Sequence, residues 1–272
     1  MEPLDDRTGS IRHAGEMLRD WRQRRRLTQL ELATDAAVPI RLLGAIETGQ
    51  SLPDRSIVLR LADRLDVPLR ARNNLLVAAG YEAAFPARTL GDPVLTEIWS
   101  MVDRTVNGHA PYPALALDRR WFIVASNEVL RAIIAGVDPA LLSTPSNWAR
   151  LTLHPAGLAP RITNLGDWHG YVFGRLRRLF EITGDAVVAD LIEEISDYPI
   201  PPSAETGHAP STVAVPLRLM TVEGTMSFYC ASTDFRSALD VTLAELTVET
   251  LYPADPETAA IMQTKARPAA DD

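Results

Sequence analysis

The chain has 272 residues, enough for one large or two ordinary domains, with 46% hydrophobic and 23% charged residues. No apolar run approaches the roughly 18–20 residues that span a bilayer, and no basic stretch followed by an apolar core opens the chain. One cysteine, Cys230, excludes an internal disulfide framework, so a cytoplasmic protein with no membrane partner is expected. The net charge of −8 divides into +1 over residues 1–82 and −9 over the rest, which argues for two domains with different partners.

Residues 1–11 are expected to be a flexible N-terminus. Ala14, Met17, Leu18 and Trp21 then recur at helical spacing, which predicts an amphipathic helix over "HAGEMLRDWRQRRR". Thr28 is a good N-cap for a second helix, and Glu31 three residues later completes a capping-box pattern. Leu32 and Ala33 face inward, the small Ala36 and Ala37 permit a close turn, and Val38 packs beneath it. Leu43 and Ile46 form the buried stripe of a third helix, and Gly49 suits the left-handed position just past its end. "LPDRSIVLRLADRLDVPLRARNNLLVAAG" supplies two more helices. Asp54 or Ser56 is placed to cap the first, Ile57, Leu61 and Leu65 form its core face, and Pro68 separates it from the second.

Five helices over 12–82, with the second and third in this register, resemble the lambda-repressor/Cro class of helix-turn-helix, often called XRE-type. Leu27, Thr28, Gln29, Leu32, Ala33, Val38, Leu43, Ile46, Glu47, Gly49, Pro53 and "LRLADRLDV" carry the resemblance. A small helical module that touches no DNA would use many of the same core positions. The resemblance implies a third helix in the major groove, with Ile40, Arg41, Leu42, Gly44 and Ala45 at or near the reading face. It also sets Gln29 against a phosphate or an outer base. Pro39 stands where the class has a Ser or Thr cap, so a phosphate-contacting hydroxyl is missing. Arg41 is the only strong direct reader, suited to guanine, while Ile40, Leu42 and Ala45 offer apolar contact. Phosphate anchors would be Arg22, Arg24, Arg25, Arg26, Gln29, Thr48, Gln50 and Arg55, with Thr28 beside them. A solvated helix end would use the same arginine run to offset its dipole.

"AAGYEAAFPARTLGDP" marks a junction at 83–92. "YPALALDRRWFIVASN" reads as a β-hairpin turning at "DRR", and "EVLRAIIAG" as a short helix after Asn127. "NWARLTLHP" is a helix stopped by Pro155, and "DWHGYVFGRLRRLFEIT" and "DAVVADLIEEISDY" are amphipathic helices. "TVAVPLRLM", "GTMSFYCAST" and "DVTLAELTVETLYP" are strand-like, with Val222, Glu223 and Gly224 as a hairpin turn. The sum is an all-α five-helix helix-turn-helix domain followed, over 93–264, by an α+β domain of PAS-like plan with a five-stranded antiparallel sheet. A disordered tail is expected over 265–272.

"LDRRWFIVASN", "LTLHPAGLAPRITN", "PLRLMT" and "DVTLAELTVETLYPADPETAAIM", together with the N-terminal motifs, resemble the MmyB-like transcription regulators. That resemblance covers roughly residues 12–263. It implies a regulator that binds double-stranded DNA and senses a small lipophilic effector, such as a fatty acid. The residues nominate Trp121, Phe122, Asn127, Trp148, Arg150, His154, Tyr171, Phe173, Phe228, Tyr229 and Cys230 for the ligand site. The same aromatics could equally fill the core, and His154 could be a turn histidine. Arg150 and Arg161 could meet a ligand carboxylate or the domain's own acids. One strong base reader is little for a monomer, so a homodimer is expected. There is no phosphate loop, no nucleophile elbow and no metal-spaced His/Cys set, so no enzyme, metal or required cofactor is expected. The competing reading is a regulator that works mainly through protein contacts, with weak or degenerate DNA reading. The apolar "PIRLLGAIE" keeps it open.

Overall fold

The structure is a computed structural model that describes residues 13–89, 91–200, 214–235 and 239–266. The expected flexible N-terminus lies outside these residues, as do residues 267–272 of the expected tail. Of two compact units, the first runs through Ala87 and takes in the short segments Glu181–Thr183 and Leu239–Val241, and the second holds the rest from Arg88 on.

In the first unit the apolar periodicity is realised as α1 (Ala14–Arg24), α2 (Gln29–Asp35), α3 (Ile40–Glu47), α4 (Arg55–Arg64) and α5 (Leu69–Ala78). Leu18, Trp21, Leu32, Leu43, Ile46, Leu61, Leu65 and Leu76 meet in one buried core. Thr28 Oγ1 accepts from Glu31 N at 3.2 Å while the Glu31 carboxylate accepts from Thr28 N at 2.7 Å, so the capping box forms. α3 follows after a turn in which Ala37 has φ 50°, and Gly49, at φ 74°, ends it. Gly15 lets α1 and α3 touch, since a Cβ there would stand 1.8 Å from the Ile46 carbonyl oxygen.

Two details of α4 differ from expectation. Its buried stripe is Val58, Leu61, Ala62 and Leu65, with Ile57 only half-buried. That stripe follows the i, i+3, i+4, i+7 rule from the inward Val58. Asp54 occupies the N-cap position, but its side chain makes no capping bond. Asn73 binds Ala84 N, Phe85 N and Phe85 O at 3.0, 3.0 and 2.7 Å, so the start of the segment expected as junction packs with the helices.

The second unit opens with a 3-10 turn, Pro93–Leu95, capped by Asp92, and then α6 (Thr96–Gly108). β1 (Ala114–Leu117) and β2 (Ile123–Ser126) form the expected hairpin. Next come α7 (Glu128–Ile134), α8 (Pro139–Leu142), α9 (Trp148–Leu153), a 3-10 turn at Ala159–Arg161, α10 (Leu165–Thr183) and α11 (Ala186–Ser196). β3 (Leu217–Thr221), β4 (Gly224–Asp234), α12 (Val241–Ala244), β5 (Thr247–Pro253) and α13 (Pro256–Ala266) complete it. The sheet is antiparallel throughout, in the order β2-β1-β5-β4-β3.

Strand alternation gives the sheet two different faces. Leu115, Leu117, Leu219, Met226, Phe228 and Leu251 belong to a core built with α7, α9, α10, α11 and α13. On the other face the small Ala114 and Ala116, with Val248, lie under Val102 and Val106 of α6. Three expectations change here. "DVTLAEL" begins as a helical turn, and the strand starts only at Thr247. α6 and α13 are helices beyond those expected. Lys265, expected in a disordered tail, lies in α13.

Candidate functional site

The exposed surface of α2 and α3 is held from below by one buried acid. Glu47, 3% exposed, accepts from Arg22 Nε at 2.7 Å and Arg22 Nη2 at 2.8 Å, and from Gln29 Nε2 at 2.8 Å. Arg22 also donates to the Leu27 carbonyl at 2.8 Å. The hydrogen bond that Arg22 donates to Glu47 raises the Arg22 pKa above its ordinary value, and burial opposes the rise. Arg22 was expected at phosphate. Its guanidinium is instead engaged on three acceptors inside the unit, which leaves little for DNA.

Arg25 is likewise committed. It donates to the Leu65 and Asp66 carbonyls at 2.8 and 3.0 Å and lies over Trp21, so it caps the C-terminal end of α4. Arg24 also lies over Trp21 but stays exposed, as do Arg26, Arg41 and Arg55. Thr28, Pro39, Ile40, Thr48 and Gln50 are exposed on the same unit, while Gln29, Leu42, Gly44 and Ala45 are half-buried. Thr48 Oγ1 donates back to the Gly44 carbonyl at 2.9 Å. In sequence Glu47 reads only as a position matching the helix-turn-helix pattern, and its role in holding Arg22 and Gln29 was missed.

In the second unit a cavity of about 700 Å³ opens between α7, the β3–β4 hairpin and α13. Val129, Ala132 and Ile133 form one wall, and Met220, Met226 and Met262 bring three of the chain's six methionines to the others. Its charged groups are Glu128, Arg161, Glu223 and Lys265. Lys265 pairs with Glu223 at 2.8 Å and Arg131 with Glu128 at 3.0 Å. Arg161 donates to the carbonyls of Ile133 at 2.9 Å and Met220 at 3.5 Å, and no carboxylate pairs with it among the described residues.

None of the eleven nominated ligand residues lines this cavity. Trp121, Tyr171 and Cys230 instead gather around Arg175. The Arg175 guanidinium lies 4.9 Å from the Trp121 ring centre and 5.7 Å from that of Tyr171, and pairs with buried Glu249 at 2.6 Å. Burial, and then the nearby Glu249 charge, push the Cys230 thiol up to about 12, so it is not a nucleophile at neutral pH. Arg150 pairs with Glu194 at 2.6 Å, and Tyr198 donates to the same acid. His154 accepts from Ala156 N at 3.0 Å and meets Tyr198 edge-on, so it is a turn histidine.

Asn127 caps α7 and bonds Ala114 N, Val106 O and Tyr112 O, so all its polar capacity is structural. Trp148 and Phe228 are core. Phe122 bridges Asn147, and Phe173 stacks on His169. Tyr229, 41% exposed, points to the sheet face opposite Phe228 and Cys230, because neighbours in a strand alternate. Met220, Met226 and Met262 were missed, although soft, adaptable methionines clustered after residue 219 were the available signal.

A helix-turn-helix head and a second unit holding an apolar cavity define a DNA-binding transcription regulator with a ligand-sensing domain. The helix-turn-helix domain family matches residues 13–75. The MmyB-like transcription regulator ligand binding domain matches residues 100–264, more than half the chain, and the chain belongs to that family. No curated protein matches the chain.

Proposed function

We propose that this is a sequence-specific, cytoplasmic, homodimeric DNA-binding regulator whose second unit, of PAS-like plan, takes a fatty-acid-like effector in the α7–hairpin–α13 cavity. It is not an enzyme and needs no cofactor. The carrying observation is the cavity itself: about 700 Å³ of mostly apolar wall with Arg161 as a cation that, among the described residues, no carboxylate pairs. Its size suits a small molecule, and an apolar body with one anionic head matches its chemistry. Strand order β2-β1-β5-β4-β3 supports the PAS-like plan. Exposed Arg41 beside exposed Ile40 favours reading guanine next to a thymine methyl.

Titration with saturated fatty acids and the matching alcohols tests the ligand. Wild type should bind the acids, and Arg161→Ala should weaken the acids but not the alcohols. Met226→Trp should close the cavity to both. If neither lipid binds wild type more tightly than Met226→Trp, the cavity is not the effector site. A true effector must also change operator affinity, by roughly 5–150-fold if coupling is ordinary.

A further inference from the structure

β4 is eleven residues long and β3 only five. Their ladder ends at Leu217↔Phe228, whereas β5 pairs with β4 as far as Asp234. From Tyr229 to Thr233, one side of β4 therefore carries no strand among the described residues. Which backbone groups face that side follows from parity. Arg218 of β3 turns outward, its N–H donating to Asn164 Oδ1 at 3.2 Å and its carbonyl accepting from Thr163 N at 3.0 Å. Leu217, Leu219 and Thr221 then face β4, so Phe228, Met226 and Gly224 face β3. Continuing by twos, Cys230 and Ser232 turn their N–H and C=O to the open side, while Tyr229, Ala231 and Thr233 turn theirs to β5. The stretch from Tyr229 to Thr233 carries no charge and no proline, the devices by which natural edges refuse a partner strand. It lies in the part of the chain with net charge −9, where like charge elsewhere opposes the approach of a second copy.

We propose that this edge is the interface between two copies of the chain, Tyr229–Thr233 of one pairing antiparallel with Tyr229–Thr233 of its partner about a twofold axis at Ala231. The inference rests on the homodimeric reading above and gives it a surface. The register is the one that satisfies every open group. Cys230 lies opposite the partner's Ser232, and each such pair exchanges two N–H···O=C bonds, about four in all. A twofold contact requires one surface to complement itself, and an edge whose donors and acceptors alternate does so when antiparallel. Ala231 meets the partner's Ala231 at the closer, non-hydrogen-bonded position, about 4.5 Å between Cα atoms, where a methyl group lets the strands close. The two sheets become continuous, which removes an edge open to unspecific pairing.

Thiol oxidation and sedimentation of the full chain test this. On a Cys230→Ala background, Ala231→Cys should give a disulfide-linked dimer on mild oxidation, because about 4.5 Å between Cα atoms is within disulfide reach. Thr225→Cys, on the same sheet face beside the β3–β4 turn, should not link. Ala231→Lys and Ala231→Glu each set like charges directly opposite, so each should raise the dimer dissociation constant about fivefold or more. An equimolar mixture of the two should recover the wild-type value, which a folding defect would not allow. A dimeric wild type whose Ala231→Cys links no better than Thr225→Cys, and whose charge variants dimerise unchanged, overturns the proposal and leaves the homodimer to another surface. A wild type that stays monomeric throughout the micromolar range removes the homodimer itself, and this interface with it.

Discussion

Replacing Glu47 with alanine leaves the Arg22 guanidinium, 11% exposed, without its acid and Gln29 without its acceptor. Breaking a buried pair from one side costs about 3–5 kcal/mol, so Glu47→Ala should lower the unfolding midpoint sharply in chemical denaturation. A double variant, Arg22→Met with Glu47→Leu, should recover much of that loss, because no buried charge is left alone. Gly15→Ala should also be costly, about 1–3 kcal/mol or more, since its methyl would enter the Ile46 carbonyl. Arg25→Ala should lower thermal stability as well as any DNA affinity, because Arg25 caps α4. The Thr28–Glu31 box was legible because its partners are three residues apart. The roles of Arg22 and Arg25 were not, because their acceptors lie 25 and 40 residues away.

Among the elements, α9 and α11 are joined by Arg150 and Glu194, and the guanidinium holds the Glu194 carboxyl below its ordinary 4.5. A folded value below the unfolded one stabilises fully above the unfolded value and loses that contribution as pH falls through the folded one. The melting-temperature gap between wild type and Arg150→Met should therefore shrink as pH drops from neutrality to well below 4.5. An unchanging gap would assign the effect of Arg150 to packing. Thr258 in α13 accepts from the buried Ser227 N–H at 2.9 Å, so Thr258→Val should cost about 1–3 kcal/mol in denaturant titration. Long amphipathic helices such as α10 and α11 were readable from periodicity. α13 was not, because among its described side chains only Thr258 and Met262 are fully buried. The nominated aromatics lie outside the cavity for a related reason: aromatics mark a core as readily as a cavity, and here the apolar part of the cavity wall is aliphatic and thioether.

For the whole molecule the net charge of −8 says little about DNA, because affinity follows local phosphate contacts. Arg24, Arg26 and Arg55 remain exposed once Arg22 and Arg25 are accounted for. If each meets a phosphate in both protomers of a dimer, the logarithm of affinity should fall against log salt with a slope of roughly −5. Sedimentation and footprinting on one sample check the same point: a monomer protecting a single half-site would remove the dimer. Charge alone separates a nearly neutral first 82 residues, at +1, from an acidic remainder at −9.

β1 lies between β2, which follows it at once, and β5, which begins at Thr247. At about 5–20 residues per second of synthesis, β1 waits roughly 7–26 s for that neighbour to leave the ribosome. The five N-terminal helices wait for nothing downstream to fill their own core. During translation, then, a nascent chain carries a finished reading head while its sheet is still open, with the Leu115 and Leu117 edge unpaired on one side. A message cut short before residue 247 would yield heads without sheets, and such fragments should be cleared by proteolysis from the C-terminal side.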